Sequence, residues 1–520
     1  MKPPCDEATI RSRPAIAPCH PREGAWILAA AILGSSMAFI DSTVVNVALP
    51  ALQSSLNATV IDVQWVIESY GLFLGALILV GGSVGDLWGR RRVFVAGVAV
   101  FAIASAWCGL APTIHQLIIA RAVQGVGASF MVPGSLAIIS ASFDEAERGR
   151  AIGTWSGATS MTTALGPVLG GWLIQHASWR WAFFINLPLA AAVIAISLTH
   201  VPESRSTAAK GVDWLGAIIV TVGLGGLVFG LIESAPLGWS NPLVLGPTII
   251  STTCLLFFFF VEARVATPMV PLQLFQSRAF TGANLLTLFL YAAVGIFFFL
   301  FPLDLIQVQG YSATATGAAA LPTILLLFLL SRWSGGLVAR YGPRPPLIVG
   351  PLITATGFVL FALPSVGGNY SSTFLPAFVV LGFGVAITVA PLTTVVMSSV
   401  DQDRAGTASG INNAVARIAS LLAIAVLGSV MVRAFSTRLD HDLTQLPIPP
   451  KVMKNLESNY IKLAALEIPT SLDSTTSAEV KGAVKDAFVY GFRFVMLICA
   501  ALAVASAACA GWMIGRKPDP

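Results

Sequence analysis

Along most of this chain the apolar residues do not alternate with polar ones at the helical or the strand period. They run on. Fourteen such runs can be marked, at 25–49, 65–86, 93–112, 116–140, 150–174, 181–200, 214–234, 243–262, 280–305, 314–337, 346–364, 373–398, 406–432 and 488–514. Each is near the length of about 20 residues that a helix needs to cross a hydrocarbon layer of about 30 Å. Backbone in lipid must satisfy its own hydrogen bonds, so runs of this length predict transmembrane helices. The first run is too long, and too polar at Asp41 and Asn46, for a cleaved signal peptide, and no small-residue cleavage pattern closes it. Composition agrees: 56% of the 520 residues are hydrophobic and only 11% charged, against about 25% charged in soluble domains. Four of the six cysteines lie in apolar runs and none has pairing or metal spacing, so no disulfide framework is predicted.

Charge sets the expected orientation. The connections on one side hold eighteen Lys and Arg residues, including Arg90–Arg92, Arg148, Arg150, Arg264, Arg278, Arg340 and Arg344; the short connections on the other hold only Arg180. Basic connections stay in the cytoplasm, which predicts an inner (plasma) membrane protein with both termini cytoplasmic and an even number of spans. The long loop at about 433–487 carries seven further basic residues, but long loops translocate largely regardless of charge. Within it, Lys451–Leu466 predicts a short amphipathic helix, and the loop is expected to be a solvated lid.

The sequence also repeats. Gly82-Ser-Val-Gly-Asp86-Leu-Trp-Gly89-Arg-Arg-Arg92 follows the second span, and Gly335-Gly-Leu-Val-Ala339-Arg-Tyr-Gly342-Pro-Arg344 follows the tenth, with Gly342 standing 253 residues after Gly89. Gly125/Gly127 and Gly382/Gly384 echo each other at an offset of 257, as do Gly153 and Gly410. The expected architecture is an all-α membrane protein of 14 transmembrane helices, built as two six-helix bundles plus two inserted spans. The expected boundaries are a tail at 1–24, an N-terminal bundle at 25–200, a linker with the inserted spans at 201–270, a C-terminal bundle at 271–514 and a tail at 515–520. Parallel six-span repeats are a transporter signature, because the substrate site forms between the halves.

These residues resemble the major facilitator superfamily, and within it the fourteen-span drug:proton antiporters of the multidrug efflux type. The motif after span 2 is similar to the family's gating signature. Phe39-Ile-Asp41-Ser-Thr-Val-Val-Asn46-Val-Ala-Leu-Pro50 resembles its first-span motif, and Arg121-Ala-Val-Gln124-Gly125-Val-Gly127 its fourth-span relay motif. Gly157 with Leu165-Gly166-Pro167-Val-Leu-Gly170-Gly171 resembles its antiporter motif. Trp179–Pro188, Asp213-Trp-Leu-Gly216 and Ala408–Asn413 also have the family's look. The resemblance implies a major-facilitator-type transporter in which Asp41 handles substrate or proton, Arg121 belongs to the relay, and Asp86 with Arg90, Arg91 and Arg92 locks the cytoplasmic side. It also ties the span-5 bend to exchange rather than uptake.

The residues themselves point the same way. Charges inside lipid are costly and need a partner or a purpose. At 1.5 Å per residue, Asp41 lies roughly 24 Å from the cytoplasmic edge and Arg121 roughly 8 Å from the outer one, nearly the same height in a layer of about 30 Å. A direct or water-bridged pair is therefore allowed. Two readings stand: a structural ion pair, or a site where a cationic compound and a proton compete for one carboxylate. Asp304 and Glu68 are further candidates for proton or cation coupling, and Glu233 a weaker one. Ser409, Asn413 and Arg417 recur every four residues and form one polar stripe, serving either substrate contacts and gating or helix packing. Asn46, Asn284 and Tyr291 complete the candidate substrate cavity. The loop Gly82–Arg92 reads as a gate, where Asp86 can accept from a neighbouring helix N-terminus. In its second copy Ala339 replaces the acid, leaving Arg340, Gly342 and Arg344. In span 5 the small-residue pairs Gly153/Gly157 and Gly166/Gly170 permit close helix approach, and Pro167 adds a bend.

No phosphate-binding loop G-x-x-x-x-G-K-[ST] and no H-E-x-x-H occurs, and the five histidines are scattered, so neither an ATP-driven pump nor a membrane-embedded enzyme is expected. No cofactor or metal is expected either. The expected function is a proton-coupled secondary exporter of amphipathic, cationic compounds working by alternating access as a monomer. The alternative is a proton-coupled transporter of an endogenous metabolite, lipid or siderophore. The expected partners are the lipid bilayer, a small-molecule substrate and protons, with no nucleic acid and with a periplasmic adaptor protein left open.

Overall fold

The computed structural model describes residues 21–143, 145–205, 211–265, 268–400, 405–469 and 472–515. Lys2, Arg11 and Arg13 of the N-terminal tail, Lys210, Arg404, and Arg516 and Lys517 of the C-terminal tail lie outside the described residues.

Helices occupy all fourteen predicted runs, and no strand occurs among the described residues. Among the described residues, thirteen helices are long and apolar enough to cross a membrane. The fifth expected span, Glu145–His176, is 32 residues long but is not among those thirteen. Its polar residues explain the lower hydropathy: Trp155 Nε1–H donates to Ser35 Oγ and Thr162 Oγ1–H to Ser36 Oγ, both at 3.0 Å, so this helix meets the first span through hydroxyls as well as methyls. The sixth span is made of Trp181–Phe184 and Asn186–His200, meeting at Ile185.

Several helices outrun their apolar stretches. The first covers Pro21–Leu56, the thirteenth Ala405–Leu443 and the last Ser474–Met513. Between the last two of these, the chain leaves helix at Leu443 and the final helix begins at Ser474. Hydropathy marks where apolar side chains stop, whereas a helix continues as long as its backbone bonds close on themselves. Nor is Lys451–Leu466 one amphipathic helix: Pro450–Glu457 is α-helical and Tyr460–Ala465 forms 3₁₀ turns, with Leu463 at φ +52°. Asp473 caps the last helix by accepting from the N–H groups of Thr475 and Thr476 at 3.1 and 3.0 Å. The backbone donor of Thr476, first among these, holds its carboxyl below the usual range.

The chain divides into two compact units. The first contains Met1–Val45, Val66–Gly225 and Thr252–Leu272, the second Asn46–Trp65, Gly226–Ser251 and Gln273–Pro520. In the first unit a Cβ on Gly125 would lie 2.5 Å from Tyr70 O, and one on Gly127 would lie 2.9 Å from Gly97 O. In the second, a Cβ on Gly382 would lie 2.6 Å from Thr323 Cα, and one on Gly384 2.8 Å from Gly350 O. Tyr70/Thr323 and Gly97/Gly350 are each 253 residues apart, the same offset as the two gate motifs. The repeat is thus one of packing: equivalent glycines let equivalent helix backbones touch in each unit. The second unit is filled by Phe297, Phe301, Phe358, Phe361 and Phe378, with ring centroids 4.6–6.0 Å apart.

Candidate functional site

Asp41, on the first helix, is fully buried, and Arg121, on the fourth helix Ile114–Ser142, is 1% exposed. They form an ion pair: Arg121 Nη1–H donates to Asp41 Oδ2. The same Nη1 donates to Gln124 Oε1 at 2.7 Å, and Arg121 Nε–H donates to Val66 O at 3.1 Å. The guanidinium lies 4.1 Å from the centroid of the Tyr70 ring, a cation–π contact. Asp41 Oδ1 accepts from Gln124 Nε2 at 2.8 Å and from Asn186 Nδ2 at 3.2 Å. Both amides also donate to Ser105 Oγ, at 3.2 and 2.9 Å, and Ser105 passes its own hydrogen to Phe183 O. Five polar side chains from spans 1, 3, 4 and 6 thus close a network around one carboxylate. A buried charge without such partners would be costly.

Gln124 and Asn186 stand in the quoted motifs, but depth alone assigns them no role, and Ser105 lies in a run with no motif. Their signal is weak: lone polar residues at matching heights in separate apolar runs. Span 5 seats on the same stretch of span 1. A Cβ on Gly166 would lie 2.1 Å from Thr43 Oγ1 and one on Gly170 2.8 Å from Val44 Cγ1, whereas Gly153 and Gly157 face open space. Pro167 lies inside this helix, and Gly171 is buried.

At the basic end, the gate motif departs from expectation in one respect. Asp86 pairs with Arg90 at 2.7 Å rather than with a helix N-terminus. The acid at the start of the third helix, Arg90–Leu110, is Glu203, just beyond span 6. Its Oε1 accepts from Arg91 N–H at 3.1 Å and its Oε2 from Arg92 N–H at 3.2 Å, while Arg90 N–H donates to Ser204 O. A carboxylate there complements the free N–H groups of a helix start. Sequence reasoning missed Glu203, because 112 residues separate it from Arg91. Gly89 makes the seat possible: its φ is +112°, and a Cβ would lie 2.6 Å from Glu203 Oε1. Gly89→Ala is therefore expected to destabilise the protein by about 1–3 kcal/mol, seen as a lower thermal unfolding midpoint in detergent. Gly82→Ala, whose nearest neighbour would be Pro133 Cβ at 3.7 Å, should leave the midpoint unchanged.

The remaining candidates are scattered. Glu68 is buried on span 2 with neither carboxyl oxygen bonded. Asp304 is buried at the start of the π-helical turn Asp304–Val308 that follows the helix Arg278–Leu303, and its backbone carbonyl accepts from Gln309 N–H at 3.0 Å. Glu233 accepts from Trp65 Nε1–H at 3.1 Å. Asn46 and Tyr291 are half-buried. Asn284 accepts from Asn412, whose Nδ2 also reaches Thr287 Oγ1 at 2.7 Å. The span-13 amide that packs on span 9 is thus Asn412, while Asn413 is exposed and donates to Ser409 O. Arg417, one turn on, is half-buried. In the second gate copy Arg344 donates to Gly511 O, Gly342 ends its helix at φ +79°, and the exposed Arg340 lies over the Tyr341 ring at 5.2 Å.

A run of membrane helices in which one half repeats the other, with a charge pair buried in its first bundle, has the build of a secondary transporter. Comparison with known proteins places it: residues 31–424 match the Major Facilitator Superfamily, and the chain belongs to that family. It is 36% identical over 433 residues to the multidrug resistance protein Stp of Mycobacterium tuberculosis, covering 82% of this chain and 80% of that one. It is 30% identical over 499 residues to the tetracenomycin C resistance and export protein of Streptomyces glaucescens, covering 95% and 92%. The puromycin resistance protein of Streptomyces alboniger is 34% identical over 425 residues, covering 80% and 84%. Among solved structures, the inward-facing, unoccupied bacterial homologue of the human lysosomal transporter Spinster shares the fold, with a TM-score of 0.64 at 16% identity over 96% of this chain and all of that one.

Proposed function

We propose that this chain is a drug/proton antiporter that exports amphipathic, cationic compounds across the plasma membrane, with its basic end and both termini in the cytoplasm. The observation that carries the proposal is the Asp41 network. One carboxylate, buried in the first bundle, is held by three side-chain donors and has a cation as its strongest partner. Adding a proton to Asp41 removes the charge that orients Arg121, Gln124 and Asn186 together. The network then has two arrangements, and a compound or a proton can choose between them only by binding one of the two better. Resistance relatives that cover most of the chain support export of foreign compounds. The seat of Gly166 and Gly170 on Thr43 and Val44 supports the bend of span 5 acting on the helix that carries Asp41.

The remaining candidates join this scheme in order of burial. Glu68, with no bonded oxygen in a buried site, is the second proton carrier, and Asp304 the third. Asn46, Asn284, Tyr291 and Arg417 line the compound's path. Asp86, Arg90–Arg92 and Glu203 form the gate at the cytoplasmic end. The test is a pH gradient imposed on proteoliposomes and challenged with a chemically diverse compound panel. Lipophilic cations are expected to dissipate the gradient only when the protein is present. Transport of compounds with no movement of protons would overturn the coupling.

A further inference from the structure

Two carboxyl groups outside the Asp41 network meet at the basic end of the inserted helix pair. Asp213 immediately precedes the helix Trp214–Leu237, and Glu262 ends the helix Pro242–Glu262. They are 6% and 3% exposed. Each spends one oxygen on backbone: Asp213 Oδ1 accepts from Gly216 N–H at 2.8 Å, and Glu262 Oε2 from Val270 N–H at 3.2 Å. The other oxygen of each, Asp213 Oδ2 and Glu262 Oε1, has no donor. These two oxygens converge, since a Cβ on Gly216 would lie 2.4 Å from the first and 3.1 Å from the second. The two oxygens are therefore no more than 5.5 Å apart.

Among the described residues no cation bonds either group. Arg264, the nearest in sequence to Glu262, lies over the Phe260 ring at 3.4 Å. On the neighbouring ends of the second and third helices, Arg90 is taken by Asp86, and Arg91 and Arg92 by Glu203; Lys210 lies outside the described residues. Two carboxylates so placed and so buried do not both stay ionised. A carboxylate can only accept, whereas a protonated carboxyl donates one hydrogen. One proton between Asp213 Oδ2 and Glu262 Oε1 therefore supplies the missing donor.

We infer that Asp213 and Glu262 form a proton-binding site, a shared-proton carboxyl pair that latches the segment after the eighth span to the start of the seventh. The latch adjoins the gate. Val212, Ala217 and Met269, which flank the pair, pack against Val80, Val84 and Val93 at the ends of the second and third helices. Removing the proton sets two negative charges against each other where the gate motif rests.

Infrared difference spectra of the purified full chain at neutral pH test this without any transport measurement, so failure of the exporter reading would leave the test standing. Wild type minus Glu262→Gln, and wild type minus Asp213→Asn, are each expected to show a protonated-carboxyl C=O band. A Glu68→Gln control should leave that difference intact. In the folded state the pair holds a proton that the unfolded chain releases, so wild-type thermal stability is expected to fall as pH rises from the ordinary carboxylate range to neutrality. Glu262→Gln carries a permanent N–H donor in place of the proton, so its midpoint should not move with pH over that range; it bears both readouts if Asp213→Asn does not fold. No carboxyl band in the difference spectra, or a midpoint that follows sodium or potassium rather than pH, would overturn the inference.

Discussion

Asp41→Asn is expected to abolish proton-driven export while leaving the protein folded in the membrane. The amide is nearly isosteric and still offers one oxygen to Arg121 Nη1. Arg121 keeps its other partners, namely Val66 O, Gln124 Oε1 and the face of Tyr70. Its charge is therefore shared among a carbonyl, an amide and a ring after the carboxylate has gone, and the structural loss is modest. What vanishes is the one carboxylate in the network, the group on which the proposed coupling rests. A proton falling through 100 mV is worth about 2.3 kcal/mol, roughly a fifty-fold concentration ratio. In inverted vesicles the variant should lose all of that accumulation, and compounds should at most equilibrate. Accumulation at the wild-type level from a variant present at wild-type abundance would remove Asp41 from the coupling step.

The same network shows what a sequence can disclose and what it cannot. Asp41 and Arg121 are legible because a charge inside a long apolar run stands out, and because a rise of 1.5 Å per residue turns position into depth. Two helices crossing one layer in opposite directions must bring equal depths to equal height. The fold is legible for the same reason: the bilayer fixes element length, and the 253- and 257-residue echoes fix the duplication. Depth carries no information about azimuth, however, so which helix faces which is not readable. Ser105, Gln124 and Asn186 are ordinary polar residues until spans 3, 4 and 6 are turned toward span 1. Glu203 is a harder case. It lies beyond the end of a span, in a connection that counts as topology, and only the folded chain shows it seated on the N–H groups of Arg91 and Arg92. Asn412 and Asn413 illustrate the azimuth problem at its smallest, since one residue along a helix is about 100° of rotation. The four-residue stripe through Ser409, Asn413 and Arg417 marks one face of the helix, and the asparagine that bonds Asn284 and Thr287 stands on the next.

Arg121→Ala is expected to be more damaging than Asp41→Asn, and in a different way. It strips the cation from a fully buried carboxylate and leaves only the neutral amides of Gln124 and Asn186 as donors. Removing one partner of a buried ion pair costs about 3–5 kcal/mol, and here the contact with Tyr70 and the bond to Val66 O go with it. A loss of that size is about a third to a half of a typical folding free energy of about 5–15 kcal/mol, so less folded protein should survive extraction, and thermal unfolding in detergent should begin well below wild type. Arg121→Lys separates charge from shape. An ammonium keeps the pairing but cannot hold Asp41, Gln124 and the Val66 carbonyl at once from a planar fork, so this variant should fold and transport without tight coupling to the proton gradient. The double variant Asp41→Asn with Arg121→Ala removes both charges together, and should recover a large part of the stability lost by Arg121→Ala alone. If Arg121→Ala unfolded at the wild-type midpoint, or if the double variant were no more stable than the single, Asp41 would not be standing in the bundle as a carboxylate that depends on its guanidinium.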